Sequence, residues 1–317
     1  MPLHEAQATI GKVARNVQSV ILGKEAVIRQ ALVCWLGGGH VLFEDVPGTG
    51  KTILARAMAR SVTVTTKRVQ FTPDLLPSDI IGSAIYAKNE ERFVFVPGPL
   101  FTGVLLADEL NRATPRTQSA LLEAMAEGHC TAENRTFKLP SSFFVIATQN
   151  PVEQHGTFPL PEAQLDRFMM RISLSYPDAQ AEAQLVRAQL LAHPIEQLAP
   201  VVSEAEWEEA RQVVKQVQVA NPVLNYALSL VEATRKHGHI ALGASPRATI
   251  ALIRAAQAYA LMNGEAFVKP DEIKMCAAAV LEHRLMLTTR ARLDHVAVAE
   301  VVAEIVKKTP VPIRAAA

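Results

Sequence analysis

Between an apolar run at His40 to Glu44 and a helix-forming stretch that begins at Lys51, the chain reads Asp45-Val46-Pro47-Gly48-Thr49-Gly50-Lys51-Thr52. A strand, a glycine-bearing turn and a helix, in that order, are the setting in which a loop can wrap phosphate groups. Gly48 and Gly50 let backbone N–H groups turn inward around phosphate oxygens. Lys51 brings a positive charge to the outer phosphates, and Thr52 offers a hydroxyl to Mg²⁺ at a helix N-terminus. The stretch departs from the strict pattern GxxxxGK[ST], because Asp45 stands where the first glycine belongs. A plain glycine-rich turn before a helix is the alternative, and the placement of Lys51 and Thr52 argues against it. Pro47, Gly48, Thr49, Gly50, Lys51 and Thr52 are therefore candidate nucleotide-binding residues.

Further strand-like runs occur at Lys67 to Phe71, Gly103 to Ala107 and Phe143 to Thr148. The last two are continuous apolar stretches of the kind expected in a sheet covered on both faces. Between them lies a helix with readable ends: Thr114 can cap it, Pro115 suits its first position, and Gly128 follows its last turn. Alternating strands and helices imply a parallel α/β sheet. After about Pro177 the strand signals stop. Ser203 with Glu206 reads as a capping box, Ser245 and Pro246 open a second helix, and Pro270 with Asp271 and Glu272 opens a third. Two units are expected, 1–177 and 178–317, which suits a chain of 317 residues that is 49% hydrophobic and 20% charged.

Val104 to Ala107 run straight into Asp108 and Glu109, which puts two carboxylates at the C-terminal end of a buried strand, where open α/β sheets hold their ligands. Asp108 reads as a holder of Mg²⁺ and Glu109 as the base that polarises an attacking water. Solvated acids at a strand end are the plain alternative; the phosphate loop 56 residues upstream (108 minus 52) favours the functional reading. The run Phe143 to Thr148 ends in Gln149, Asn150 and Pro151, so a neutral amide would lie beside the acids if the two strands are neighbours. Asn150 then orients the water, or marks an ordinary turn before proline. Arg167, late in this half, either projects to the γ-phosphate of a neighbouring subunit or forms a surface pair with Asp166. Arg247 lies just inside a helix opened by Ser245 and Pro246, where the dipole disfavours a cation. A phosphate facing that helix end would reconcile the two and make the helical half a lid over the nucleotide; a side chain bent into solvent is the alternative.

Taken together, Asp45 to Thr52, Asp108 to Ala113, Thr148 to Pro151, Leu165 to Phe168 and Gly243 to Arg247 resemble the ordered motifs of AAA+ ATPases, specifically the MoxR family. Gln70 to Gly82, Val96 to Thr102 and Leu160 to Phe168 carry the more family-specific likeness, which runs from about Leu22 to about Leu287. The resemblance implies a five-stranded parallel sheet flanked by helices, followed by a smaller all-helical lid. It assigns Lys51 and Thr52 to Walker A, Asp108 and Glu109 to Walker B, Asn150 to sensor 1, Arg167 to the arginine finger and Arg247 to sensor 2. ATP and Mg²⁺ are the implied substrate and metal, with Thr52 and Asp108 toward the metal. It also implies hairpin inserts near 83–97 and 129–140. Independently, Ser83 to Lys88 and Phe93 to Val96 flank a polar turn at Asn89 to Arg92, and Asn134 suits the tip of a second hairpin.

The implied activity is ATP hydrolysis between subunits of a homo-oligomer, a hexameric ring, that remodels or matures partner complexes. Hydrolysis would shift the lid against the sheet domain and move the hairpins. The expected partner is a separate protein bearing a von Willebrand factor A-type domain. A nucleic-acid motor and a nucleotide-gated scaffold with little turnover are the competing classes. Lys+Arg 32 against Asp+Glu 31, a formal net charge of +1, argues against the first. The longest charge-free run, Gln216 to Val231, contains Asn221 and Pro222 and is too short to span a membrane. No secretory signal opens the chain, so a cytoplasmic protein is expected. Cys34, Cys130 and Cys276 form no CxxC pair, and His129 beside Cys130 does not make a metal site.

Overall fold

In the computed structural model, residues 1–45, 48–89, 91–132, 135–150, 156–176, 179–180, 182–183, 185, 187 and 194–312 are described. Two helices, α1 (Leu3–Gln18) and α2 (Glu25–Leu36), precede the first strand of the central sheet. That sheet consists of β1 (Val41–Glu44), β2 (Thr66–Gln70), β3 (Val104–Asp108), β4 (Phe144–Gln149) and β5 (Met170–Ile172). All its pairings are parallel, and its spatial order is β5-β1-β4-β3-β2. Helix α3 (Lys51–Ser61) follows β1, and α4 (Pro115–Glu127) lies between β3 and β4. The strand order makes β1, β4 and β3 direct neighbours, so the segments that leave their C-terminal ends share one edge.

Burial explains why these runs become strands. Every residue of β3 is buried, and successive side chains alternate between two cores: Val104 and Leu106 face the α1/α2 side, Leu105 and Ala107 the α4 side. In β4, Phe144 and Ile146 divide from Val145 and Ala147 in the same way. Helix α4 begins at Pro115 and stops at Gly128 with φ 66°. Thr114 occupies its N-cap without capping it: the hydroxyl lies 3.2 Å from that of Thr117, which donates to the Leu75 carbonyl.

Beyond residue 194 the chain forms α5 (Glu204–Val214), α6 (Asn221–Lys236), α7 (Pro246–Met262), α8 (Pro270–Leu281) and α9 (Val298–Lys308). The Ser203 capping box is present, with Glu206 N–H donating to Ser203 Oγ at 3.2 Å and Ser203 N–H to Glu206 Oε2 at 2.8 Å. Strand structure does not stop at Pro177 as expected. Val202–Ser203 pairs in parallel with Val62–Thr63, and Ile240–Leu242 pairs antiparallel with Met286–Leu287. Such pieces are too short to carry any alternation. The core on the α1/α2 side runs without a break into the helical half, where Trp207 of α5 lies 4.7 Å from Trp35 of α2. Trp35 in turn stacks on Phe144 of β4 at 5.4 Å.

Two hairpins stand out from the sheet unit. Gly82–Ala87 pairs antiparallel with Arg92–Pro97, and His129–Ala132 with Arg135–Lys138. Asn134 lies outside the described residues. No helix among the described residues is long and apolar enough to cross a membrane.

Candidate nucleotide site and arginine cavity

The loop after β1 is held open by glycine. Gly48 and Gly50 have φ 82° and 94°, a left-handed conformation that costs other residues energy. A Cβ at Gly48 would meet no atom within 4 Å. Gly50 is the N-cap of α3, and Lys51 and Thr52 form its first turn. Lys51 Nζ donates to the Asp45 carbonyl at 2.8 Å, and partial burial lowers its pKa against the opposing pull of Asp45, Asp108 and Glu109. Asp45, the departure from the usual glycine, is buried and accepts from Ser175 N–H at 2.6 Å, pinning the loop entrance to the segment that follows β5. Pro47 lies outside the described residues; Thr49 is half-buried within the loop.

The acids sit two strands away on the same edge. Asp108 closes β3 and is 6% exposed. Its Oδ1 accepts from Thr148 Oγ1 at 3.1 Å, and its Oδ2 accepts from Arg68 Nε at 2.7 Å. Thr148, on neighbouring β4, also accepts from Glu109 N–H at 2.9 Å, so one hydroxyl fixes both acidic residues. Glu109 adopts φ 56° and ψ 48°, rare for a residue with a Cβ. Its Oε2 accepts from Arg112 at 2.9 Å. Asn150 leaves the end of β4 and is 7% exposed; its carbonyl accepts from Asn111 Nδ2 at 3.4 Å. Strands β3 and β4 are adjacent, so Asn150 comes to the edge that carries the acids. An open nest with a lysine beside it, a hydroxyl in the first helical turn and a buried strand-end carboxylate form a donor set that fits a magnesium-bound triphosphate.

Arg167 and Arg247 are elsewhere. Both line a cavity of about 320 Å³ with Gly37, Gly38, Gly39, Asp166, Met169 and Arg254 among its walls, and none of Gly48 to Thr52. Gly37 to Gly39 precede β1 and Met169 precedes β5, so in a parallel sheet this cavity lies at the N-terminal edge, opposite the phosphate loop. The expectation of a lid that brings Arg247 over its own chain's nucleotide does not match its place in this cavity; α7 packs on α1 and α2. Ser245 does cap α7, accepting from Arg247 N–H at 3.2 Å. Arg167 is anchored by donation to the Leu122 carbonyl at 2.7 Å, while Arg247 is exposed.

The description "ATPase family associated with various cellular activities (AAA)" matches residues 40–170, and the AAA lid domain matches residues 232–305. The chain is 44% identical over 308 residues to YeaC of Bacillus subtilis, covering 97% of this chain and 96% of that protein. It is 38% identical over 313 residues to Chaperone MoxR1 of Mycobacterium tuberculosis, covering 96% and 82%. The chain belongs to the MoxR family of AAA+ ATPases. A solved structure of a candidate ATPase from Cytophaga hutchinsonii superimposes on this MoxR-family chain with a TM-score of 0.92 at 37% identity, covering 98% and 97%.

Reading the sequence left out several residues that the fold of this MoxR-family chain brings to the acids and to the arginine cavity. Thr148 stands in the stretch that drew attention to Asn150, but its bridging depends on β3 and β4 being neighbours. Arg68 lies in β2, where only the register with β3 brings it to Asp108. Asp166, read as a surface partner of Arg167, instead pairs with Arg284 at 2.8 Å across 118 residues.

Proposed function

We propose that this chain hydrolyses ATP at the junction between copies of itself and uses the cycle to remodel partner proteins. The observation that carries the reading is the convergence of Gly48–Thr52, Asp108, Glu109 and Asn150 on the C-terminal edge of three adjacent parallel strands. Thr52 and Asp108 would hold Mg²⁺, whose charge, when bound, would offset the negative charge that develops during phosphoryl transfer. The loop's backbone N–H groups and Lys51 hold the β- and γ-phosphates. Glu109 accepts the proton of the attacking water, and Asn150 orients that water. Lys51, partly desolvated, meets phosphate with less water to shed than an exposed ammonium would.

The arginines complete the site from a second copy. Arg167 and Arg247 share a cavity at the sheet edge opposite their own loop, an arrangement suited to two cations that serve a neighbour's γ-phosphate. A closed ring, six-membered as the family likeness implies, repeats that junction without leaving an unfilled end. The hairpins at 82–97 and 129–138 are the parts we assign to partner contact. Tyr86 and Phe93 are 54% and 71% exposed near the end of the first. A separate protein with a von Willebrand factor A-type domain is the partner class we favour.

Removing the base separates chemistry from binding. Glu109→Gln should bind ATP within about threefold of wild type while steady-state hydrolysis falls roughly 100-fold or more, and Lys51→Ala should lose binding. Turnover by Glu109→Gln at the wild-type rate would refute the assignment, and hydrolysis too slow to measure in the wild type would favour a nucleotide-gated scaffold.

A further inference from the structure

Arg167 and Arg247 are 80 residues apart (247 minus 167), yet the segments that carry them meet on one carboxylate. Asp166 Oδ2 accepts from Ser245 Oγ at 2.9 Å, and Oδ1 accepts from Arg284 Nε at 2.8 Å. Ser245 Oγ in turn accepts from Arg247 N–H at 3.2 Å, so two hydrogen bonds connect Asp166 to the backbone of Arg247. Arg284 grips the same segment from the other side: its guanidinium donates to the carbonyls of Asp166 at 3.3 Å and Met169 at 3.2 Å, and to that of Phe168. The Arg284 side chain is 2% exposed and that of Asp166 is 15% exposed. A guanidinium that deep requires a carboxylate within reach, and Asp166 supplies it.

We infer that Asp166 is a positioning residue that holds Arg167 and Arg247 in one frame, so that both reach the phosphates bound to a neighbouring copy of the chain. This rests on the reading of those two arginines given under Proposed function. Asp166 adjoins Arg167 covalently, and through Ser245 it sets where the first turn of α7 begins. Both cations line the one cavity that Asp166 also lines. A carboxylate with a purely structural role would affect its own subunit's stability; a positioning carboxylate governs turnover at the next subunit's loop.

The test uses the full chain and compares Asp166→Asn with wild type. The expected result is a fall in kcat of roughly tenfold or more at saturating ATP, with the Kd for a fluorescent ATP analogue within about threefold, the split of an interaction made in the transition state. Mixing Asp166→Asn with Lys51→Ala subunits should restore hydrolysis, because the intact loop of the first then faces the intact arginines of the second. A parallel mixture of Arg167→Ala with Lys51→Ala separates the two ideas. Recovery there but not with Asp166→Asn overturns the positioning role alone, whereas no recovery in either overturns the junction reading beneath it. An unchanged kcat in Asp166→Asn also overturns the positioning role. Should that variant fail to fold, Ser245→Ala leaves the Asp166–Arg284 pair in place. Its kcat should fall with Kd unaltered, and a wild-type kcat there counts against the proposal.

Discussion

Thr148 has no charge, yet it touches both acidic residues of the site. Its hydroxyl donates to Asp108 and accepts from the Glu109 backbone. Thr148→Val keeps the shape and removes both bonds, leaving buried groups short of a partner. It should cost about 1–3 kcal/mol by urea unfolding and lower the ATPase rate, while Thr148→Ser should recover much of both. Equal stability of the valine variant and wild type would show that the hydroxyl does not carry this load. The residues of the phosphate loop and the two acids were legible in the sequence because their chemistry depends on chain neighbours: a glycine turn, then lysine and threonine, or an apolar run followed by acids. Thr148, Arg68 and Asp166 act across strands or across halves of the chain. Their partners become apparent only when strand order and register are known, and periodicity does not report either.

The two hairpins illustrate the same division at the scale of elements. The first was readable from a polar turn between two runs and the second from Asn134 as a turn residue, but their contact was not. Phe95 of the first stacks on Phe137 of the second with ring centroids 4.2 Å apart and planes at 15°. Phe101, three residues before β3, meets both rings edge-on at 5.8 and 6.2 Å. The hairpins are thus tied to each other and to the approach of the strand that ends in Asp108. A double-mutant cycle of Phe95→Ala and Phe137→Ala, read by denaturant unfolding, should give a coupling of about 0.5–1.5 kcal/mol. Additive losses would mean that the hairpins are independent. The two- and three-residue strands at Val202–Ser203, Ile240–Leu242 and Met286–Leu287 escaped notice for a simpler reason: alternation needs more residues than they have.

Across the whole molecule, one apolar cluster joins the α1/α2 side of the sheet to the helical half. Acid should destabilise the fold. His40 is buried, accepts at Nδ1 from Val145 N–H at 2.9 Å, and lies 3.2 Å through Nε2 from the Met125 carbonyl, an arrangement that suits the neutral ring. Burial pushes its pKa down to about 4. The unfolded chain takes up a proton near pH 6.5 that the folded chain refuses, so stability is complete above that pH. It should decline by up to about 3 kcal/mol as pH falls toward 4. His283, buried beside Arg284 and likewise lowered, acts in the same direction. Urea unfolding from pH 7 to pH 4 should therefore show a steeper loss for wild type than for His40→Gln, and parallel profiles would exclude His40 as a source. His40 also stands at one end of β1, beside the three glycines, and Asp45 stands at the other. A Cβ on Gly39 would come within 2.3 Å of Met169, so this end of the strand has no slack. Four residues of extended chain reach only about 13 Å. On the junction proposed above, each copy would grip its neighbour's fuel near one tip of this strand and hold its own at the other, leaving scarcely more than a strand's length for news of one event to reach the next.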